Sequence, residues 1–376
     1  MKYLDRYYQN LGEYLDLERV LIVYGPRRVG KTTLVKRFLS QTDLKFKLDS
    51  GEDIFVQQTL ASQDFKRMLE YVQGYELYVI DEAQVVPQIG QALKILLDQT
   101  HNLKIMVTGS ANFELASQLE PLVGRKKELY LYPLAQRELL ENANPAELKR
   151  QLEDFLIFGS YPKILTTPSR VEKIERLKMV AREYLFRDVL AFEGIKYSQK
   201  IVKLAKLLAF QIGSEVSYYE LGTQLGLDSK TVEKYIDLLE KNFILYRVGG
   251  FSRNLRKEIS AKHKFYFWDT GMRNAVIEQF NALENRNDVG QLWENFVVME
   301  RVKYQQFAHF YGSMYFWRTY DQREVDLVEE QDGQLTGFEF KWGRSRSNKS
   351  RQAWLKAYPQ AGYEVVTKEN YLEFVS

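Results

Sequence analysis

The first 134 residues alternate between two hydrophobic rhythms. Continuous apolar runs, "VLIVYG" (Val20–Gly25), "ELYVIDE" (Glu76–Glu82), "KIMVTGS" (Lys104–Ser110) and "ELYLYPL" (Glu128–Leu134), predict strands buried on both faces, and "KFKLDS" (Lys45–Ser50) predicts a shorter one. Between them the apolar residues take helical spacing. Leu34, Val35, Phe38 and Leu39 mark one side of a helix over Lys31–Leu39, Phe65, Met68, Leu69 and Val72 mark a long helical stretch, and Ile89–Leu97 forms a third. Strands alternating with helices predict an α/β fold with a parallel sheet covered on both faces.

After Pro133 the strands stop. Residues from Leu134 to about Ile195 read as helices, broken at "FGSYPK" (Phe158–Lys163). From Tyr197 to Val248 three short helices with tight turns resemble a helix-turn-helix. Its turn is Gly226–Leu227–Asp228, Ser229 is the expected cap of the second helix, and Val232, Tyr235, Ile236 and Leu239 form its buried face. "FILYRVGG" and "KFYFWD" then read as strands of a wing. From about Gln291 the chain predicts a helix, "LWENFVVMERVKYQ", then the strands "MYFWRTY", "EVDLVEE" and "LTGFEFKW", the last two joined at Gln331–Asp332–Gly333 as a hairpin.

Composition narrows the chemistry. The chain has 376 residues, enough for several domains, and is 45% hydrophobic and 27% charged, as folded proteins are. It has no cysteine, which excludes disulfides, thiolate zinc sites and cysteine nucleophiles and makes the cytoplasm the expected location. His101, His263 and His309 are far apart in sequence and form no HExxH pair. No apolar run is long enough to span a bilayer, so no membrane partner is expected, and the N-terminus mixes charges without the apolar core of a signal peptide. Net charge is only +3, but basic residues cluster at Arg247, Arg253, Arg256, Lys257, Lys262 and Lys264, and again at Lys341, Arg344, Arg346, Lys349 and Arg351. Each cluster is either a phosphate-meeting patch for DNA or RNA or a solvated surface.

The most specific signal is "GPRRVGKTT", with Gly25, Gly30, Lys31 and Thr32 at G-x-x-x-x-G-K-T spacing between a buried strand and a helix. Such a loop, Gly25, Pro26, Arg27, Arg28, Val29, Gly30, Lys31, Thr32 and Thr33, wraps phosphates with backbone amides and a helix N-terminus. Lys31 is the expected contact to the β and γ phosphates, and the Thr32 hydroxyl an expected magnesium ligand. In "LYVIDEAQ", Asp81 is placed to hold the magnesium shell and Glu82 to orient or deprotonate the attacking water. No N-K-x-D or D-x-x-G motif follows, so ATP is favoured over GTP. "VTGS" puts a hydroxyl, of Thr108 or Ser110, beside the expected γ phosphate, the other reading being an ordinary helix cap. Arg125, in "LVGRKKEL", reads either as a finger across a subunit boundary of a homo-oligomer or as a surface ion pair.

"GPRRVGKTTLVKRF", "LYVIDEAQ", "VTGSANFELAS", "GRKKELYLYPLAQREL" and "FGSYPKIL" together resemble the prokaryotic AAA-type ATPases of the archaeal-ATPase kind. These are close to the signal-transduction (STAND) ATPases and often carry a C-terminal domain with a restriction-endonuclease-like fold. The resemblance implies a nucleotide-clasping role for Gly159 and Pro162, whose other reading is a helix breaker, and a winged helix after a helical lid. The helix "KTVEKYIDLLEKN" balances Lys230, Lys234 and Lys241 against Glu233, Asp237 and Glu240, so DNA contact and a packing or clasp role stay equally open.

"REVDLVEEQDGQLTGFEFKW" has a nuclease-like layout. Glu339 and Lys341 alternate onto one strand face, while Phe338, Phe340 and Trp342 take the core side. Asp326 lies on the adjoining strand, and Glu294 on the preceding helix is placed to complete the set. Asp326 and Glu339 are candidate ligands of a second magnesium, with Lys341 orienting water. This resembles the D…E-x-K pattern of restriction-type nucleases, without a proline before Asp326; the other reading is an amphipathic sheet edge with a Glu–Lys pair. The expected division is a P-loop core (1–133), a helical lid (134–195), a winged helix (196–280) and a restriction-endonuclease-like domain (281–376). The expected function is ATP hydrolysis coupled to nucleic-acid binding or processing. The alternative is a signalling switch with protein partners and an inert nuclease-like docking domain.

Overall fold

In a computed structural model, residues 3–110, 118–183, 198–252, 263–343 and 349–376 are described. They form two compact units. One spans Arg6–Tyr132, and the other holds residues 133–376 with the first residues of the chain.

In the first unit, β1 (Val20–Tyr24), β2 (Phe46–Ser50), β3 (Leu77–Asp81), β4 (Lys104–Gly109) and β5 (Lys126–Tyr130) make one sheet in the order β2-β3-β4-β1-β5. Every pairing is parallel. Val20, Leu21, Ile22 and Val23 are wholly buried, as a strand covered on both faces requires. Helices α1 (Lys31–Leu39), α2 (Ile54–Ala61), α3 (Phe65–Val72) and α4 (Ile89–Gln99) connect the strands. The long helical stretch expected through Val72 is two helices. Gln63 takes a left-handed φ of 54°, and the Asp64 carboxylate accepts the Arg67 amide at 3.2 Å, which caps a new helix.

The second unit opens with helices: α5 (Gln136–Leu140), α6 (Pro145–Arg150), α7 (Leu152–Phe158), α8 (Pro162–Leu165), α9 (Arg170–Glu183) and α10 (Ser198–Phe210). The helix-turn-helix pair is α11 (Tyr218–Leu225) and α12 (Ser229–Lys241), with Val232, Tyr235, Ile236 and Leu239 buried as expected. The cap of α12 is Asp228 and not Ser229, because the Asp228 carboxylate accepts both the amide (2.9 Å) and the hydroxyl (2.7 Å) of Thr231.

The strands before and after this pair do not separate into a wing and an independent C-terminal sheet. β6 (Glu215–Val216), β7 (Leu245–Gly250), β8 (His263–Phe267), β9 (Ser313–Arg318), β10 (Glu324–Gln331), β11 (Gln334–Lys341) and β12 (Gly362–Thr367) form one sheet in the order β12-β11-β10-β9-β7-β8-β6. The join is a parallel pairing of β7 with β9, Gly249 against Tyr315 and Gly250 against Phe316, so the sheet crosses the division expected at residue 280. β10 and β11 form the expected hairpin through a two-residue turn, with Asp332 and Gly333 both at positive φ (51° and 78°). Helix α13 (Thr270–Val276) follows β8, and the long α14 (Val289–Phe307) packs on β11. On the same side, Phe338 packs against Phe374 of α16 (Tyr371–Val375), ring centroids 4.7 Å apart. Trp317, Val325 and Val328 form a separate core with Trp354 of α15 (Lys349–Ala357).

Candidate functional site

β1 lies between β4 and β5, and the loop Gly25–Gly30 leaves its carboxyl end, where parallel α/β sheets place ligands. A Cβ on Gly25 would stand 2.1 Å from the Leu131 carbonyl oxygen, so only glycine lets the loop start this close to β5. Pro26 and Val29 are buried, Arg27 is half-buried, and Arg28 is exposed at a left-handed φ of 62°. Gly30, at φ 101°, caps α1, whose first residues are Lys31, Thr32 and Thr33. The buried Lys31 ammonium donates to the carbonyls of Gly25 (2.8 Å) and Pro26 (3.0 Å), folding the loop around itself.

The expected acids meet this loop. The Thr32 hydroxyl donates to Asp81 Oδ2 at 2.8 Å, and the Thr108 hydroxyl donates to Asp81 Oδ1. The Glu82 amide donates to Thr108 Oγ1 at 3.2 Å. One residue on β4 therefore joins the Asp81 carboxylate to the Glu82 backbone, and of the two hydroxyls Thr108 is the one in contact; Ser110 is buried one residue beyond the strand. Glu82 has left-handed backbone angles (φ 54°, ψ 45°), and its carboxylate accepts Gln84 Nε2 at 2.5 Å. The Thr32 hydroxyl and the Asp81 carboxylate are hard oxygen donors, the kind magnesium takes, and they stand beside amides and an ammonium that suit phosphate.

Arg125 does not join this cluster. Its carbonyl accepts the Val20 amide at 2.9 Å, which fixes it at the start of β1 and β5. That is the sheet end opposite the loop, roughly 16 Å away at strand rise. Its side chain is paired with Asp98. Within its own chain, then, Arg125 cannot reach the loop.

Sequence reading missed Arg6. Its buried guanidinium donates to the Val29 carbonyl (2.7 Å) and the Tyr132 carbonyl (2.6 Å), although nothing in "YLDRYYQN" marks it out. It also missed Gly51, whose amide holds the Asp81 carbonyl at 2.7 Å.

In the second unit, the "FGSYP" stretch is explained by packing. Gly159 ends α7 at φ 71°, ψ −162°, and a Cβ there would stand 2.0 Å from Asp269 Oδ1. Asp269 takes that space and accepts the amides of Ser160 (2.7 Å) and Met272 (2.9 Å). Burial pushes its carboxyl up. Pro162 is the first residue of α8, a position that needs no amide donor.

The C-terminal acid cluster forms, with additions. Leu327 pairs with Phe338, which sets Asp326 across from Glu339. Asp326 accepts the Phe340 amide at 2.7 Å; Glu339 pairs with Lys341 at 2.7 Å and accepts the Tyr363 hydroxyl. Burial and the nearby Glu294 push Asp326 up to about 7. Glu294, close enough to Asp326 to raise it, has partners of its own. It accepts the Tyr266 hydroxyl (2.7 Å) and the Lys264 ammonium (3.1 Å), and Lys264 also pairs with Glu324. Among the described residues, no three Asp, Glu, His or Cys side chains are placed to hold a metal ion.

The same pairs draw down the first basic cluster. Lys264 is buried, and Arg247 is paired with Asp237 and Glu240 of α12. Arg253, Arg256, Lys257, Lys262, Arg344 and Arg346 lie outside the described residues. No described helix is long and apolar enough to cross a membrane.

Comparison with known proteins agrees with the loop geometry. Residues 17–140 match the family described as "AAA domain", while 149–283 and 289–375 match two domains of unknown function, DUF8612 and DUF4143. An uncharacterized protein of Mycobacterium tuberculosis is 27% identical over 329 residues, covering 86% of this chain and 70% of the relative. One of Haemophilus influenzae is 25% identical over 351 residues, covering 86% and 82%. A solved structure, a Signal Transduction ATPase with Numerous Domains (STAND) protein with a tetratricopeptide repeat sensor from Pyrococcus horikoshii, aligns over 77% of this chain. It is 13% identical with a TM-score of 0.26, and this chain spans 45% of its length. The match over residues 17–140 and the five-stranded parallel sheet with its glycine loop both support an AAA-like P-loop domain there.

Proposed function

We propose that the first unit binds and hydrolyses ATP with magnesium and that the nucleotide state switches the C-terminal unit. The observation that carries this is Asp81, held by the Thr32 and Thr108 hydroxyls next to a loop of amides closed by Lys31. Magnesium, when bound, supplies charge neutralisation across the phosphates. Thr32 and Asp81 hold it, Lys31 and the amides from Gly25 to Thr33 grip the phosphates, and Glu82 orients water. Thr108 fixes the Asp81 carboxylate relative to the backbone of Glu82. Ser110 is the alternative phosphate sensor. Arg125 acts, if on a nucleotide, on that of a second copy.

The test is titration calorimetry with magnesium–ATP, followed by phosphate release, on the full chain and on Lys31→Ala and Asp81→Asn. Lys31→Ala loses binding, and Asp81→Asn loses hydrolysis. No heat from ATP in the wild-type chain would refute the reading.

Downstream, the ion pairs of Arg247 and Lys264 favour the switch with protein partners over nucleic-acid processing, since two cations of the basic cluster already have carboxylates. The competing reading keeps a restriction-endonuclease-like site at Asp326, Glu339 and Lys341, with Lys349 and Arg351 for phosphate. Plasmid nicking with manganese, lost in Glu339→Ala/Lys341→Ala, would decide for it.

A further inference from the structure

We propose that Arg6 is a positioning residue for the phosphate loop, holding the Val29 carbonyl from behind so that the Gly30 amide faces the phosphates. This rests on the reading that the loop grips a nucleotide. A peptide unit is planar and trans, so its carbonyl and the next N–H point in opposite directions. Fixing the Val29 oxygen therefore fixes the direction of the Gly30 hydrogen. Gly30 needs such a restraint, because it sits at φ 101° with nothing within 4 Å of where a Cβ would be. Its carbonyl accepts the Leu34 amide at 2.9 Å, which anchors the side toward α1, and the Val29 carbonyl is where the other side can be held.

Arg6 suits the task. It is 4% exposed and joins two carbonyls from different segments, Val29 at 2.7 Å and Tyr132 at 2.6 Å. A buried guanidinium is costly unless its hydrogens are taken up, and its planar fork reaches two acceptors at once. Tyr132 follows Leu131, whose carbonyl lies against Gly25. The loop is thus pinned at its start by β5 and near its end by Arg6. Lysine carries the same charge on one nitrogen, whereas Arg6 reaches its two carbonyls from two separate nitrogens of a planar group.

The experiment compares KM and kcat for ATP hydrolysis in the full chain, Arg6→Ala and Arg6→Lys, with calorimetric ATP binding alongside. A misdirected amide weakens the hold on phosphate in ground and transition states alike, so KM rises roughly tenfold in Arg6→Ala while kcat stays within about twofold. Methylguanidinium, small enough for the vacated slot, lowers KM again. Arg6→Lys falls between the two. A merely structural role gives the opposite split, fewer active molecules with lower kcat and unchanged KM, and overturns the proposal. Wild-type KM in Arg6→Lys or in Arg6→Ala overturns it as well. If the wild-type chain binds no ATP, the nucleotide reading itself has failed, which the calorimetry separates from the Arg6 result.

Discussion

Replacing Gly159 with alanine tests the interlock between α7 and α13. Two costs add. Gly159 has φ 71° and ψ −162°, a region that is essentially glycine's alone and costs a residue with a Cβ about 1–3 kcal/mol. The new Cβ would also meet Asp269, whose two carboxylate oxygens lie 2.0 and 2.3 Å from its position. Asp269 must withdraw and give up the Ser160 amide at 2.7 Å, a bond to a charged group worth about 1.5–3 kcal/mol. The sum is about 2.5–6 kcal/mol. Gly333→Ala is the control within the same unit, since Gly333 has φ 78° but nothing within 4 Å of its Cβ position. It incurs strain alone, about 1–2 kcal/mol. The assay is urea unfolding of the full chain followed by tryptophan fluorescence. All five tryptophans, Trp268, Trp293, Trp317, Trp342 and Trp354, lie in the second unit, so the signal reports that unit without interference. If the two variants unfold within about 1 kcal/mol of each other, the clash with Asp269 does not exist as described.

The acid cluster predicts a pH dependence. Asp326 is raised from its ordinary value to about 7, and Asp269 and Glu300 are also raised by burial, so the folded chain holds protons that the unfolded chain releases. That stabilisation is full below the ordinary carboxylate range and is lost as pH rises through about 7; unfolding free energy falls from about pH 5 to about pH 8, less steeply in Asp326→Asn. A wild-type chain that gains stability over that window would contradict this. Lys264→Met leaves Glu294 and Glu324 without their buried cation and costs about 3–5 kcal/mol, partly recovered by adding Glu294→Gln; a loss under about 1 kcal/mol in the single variant would count against the pairing. Thr108→Val removes the hydroxyl between Asp81 and the Glu82 amide, so hydrolysis falls roughly tenfold while ATP affinity measured by calorimetry stays within about twofold; unchanged turnover would dismiss Thr108.

What the sequence disclosed depended on how local the physics was. α1 begins and ends where the spacing of Leu34, Val35, Phe38 and Leu39 placed it, because a glycine start and a buried stripe are written within a dozen residues. The P-loop and Asp81 were legible for the same reason. The Asp332–Gly333 turn was too, since few residue pairs accept two positive φ angles. Asp326 and Glu339 were placed together because a hairpin fixes its own register. What stayed hidden was long-range. Arg6 meets Val29 and Tyr132 across 23 and 126 positions, Asp269 meets Ser160 across 109, and Lys264 meets Glu294 across 30. No period or spacing encodes such contacts. Arg125 was open to two readings, a finger across a subunit boundary or a surface ion pair, and its pairing with Asp98 is the second of these.

The parallel joint between β7 and β9 bears on how this protein can be divided. The recognised segments 149–283 and 289–375 meet in the sequence between β8 and β9, yet the sheet runs straight across that seam. A chain severed there would leave two raw strand edges, one at Gly249–Gly250 and one at Tyr315–Phe316, each an invitation to stick to foreign strands. The halves are therefore heritable as a pair, and a recombination that replaced one with a distant counterpart would have to bring a matching edge for the other.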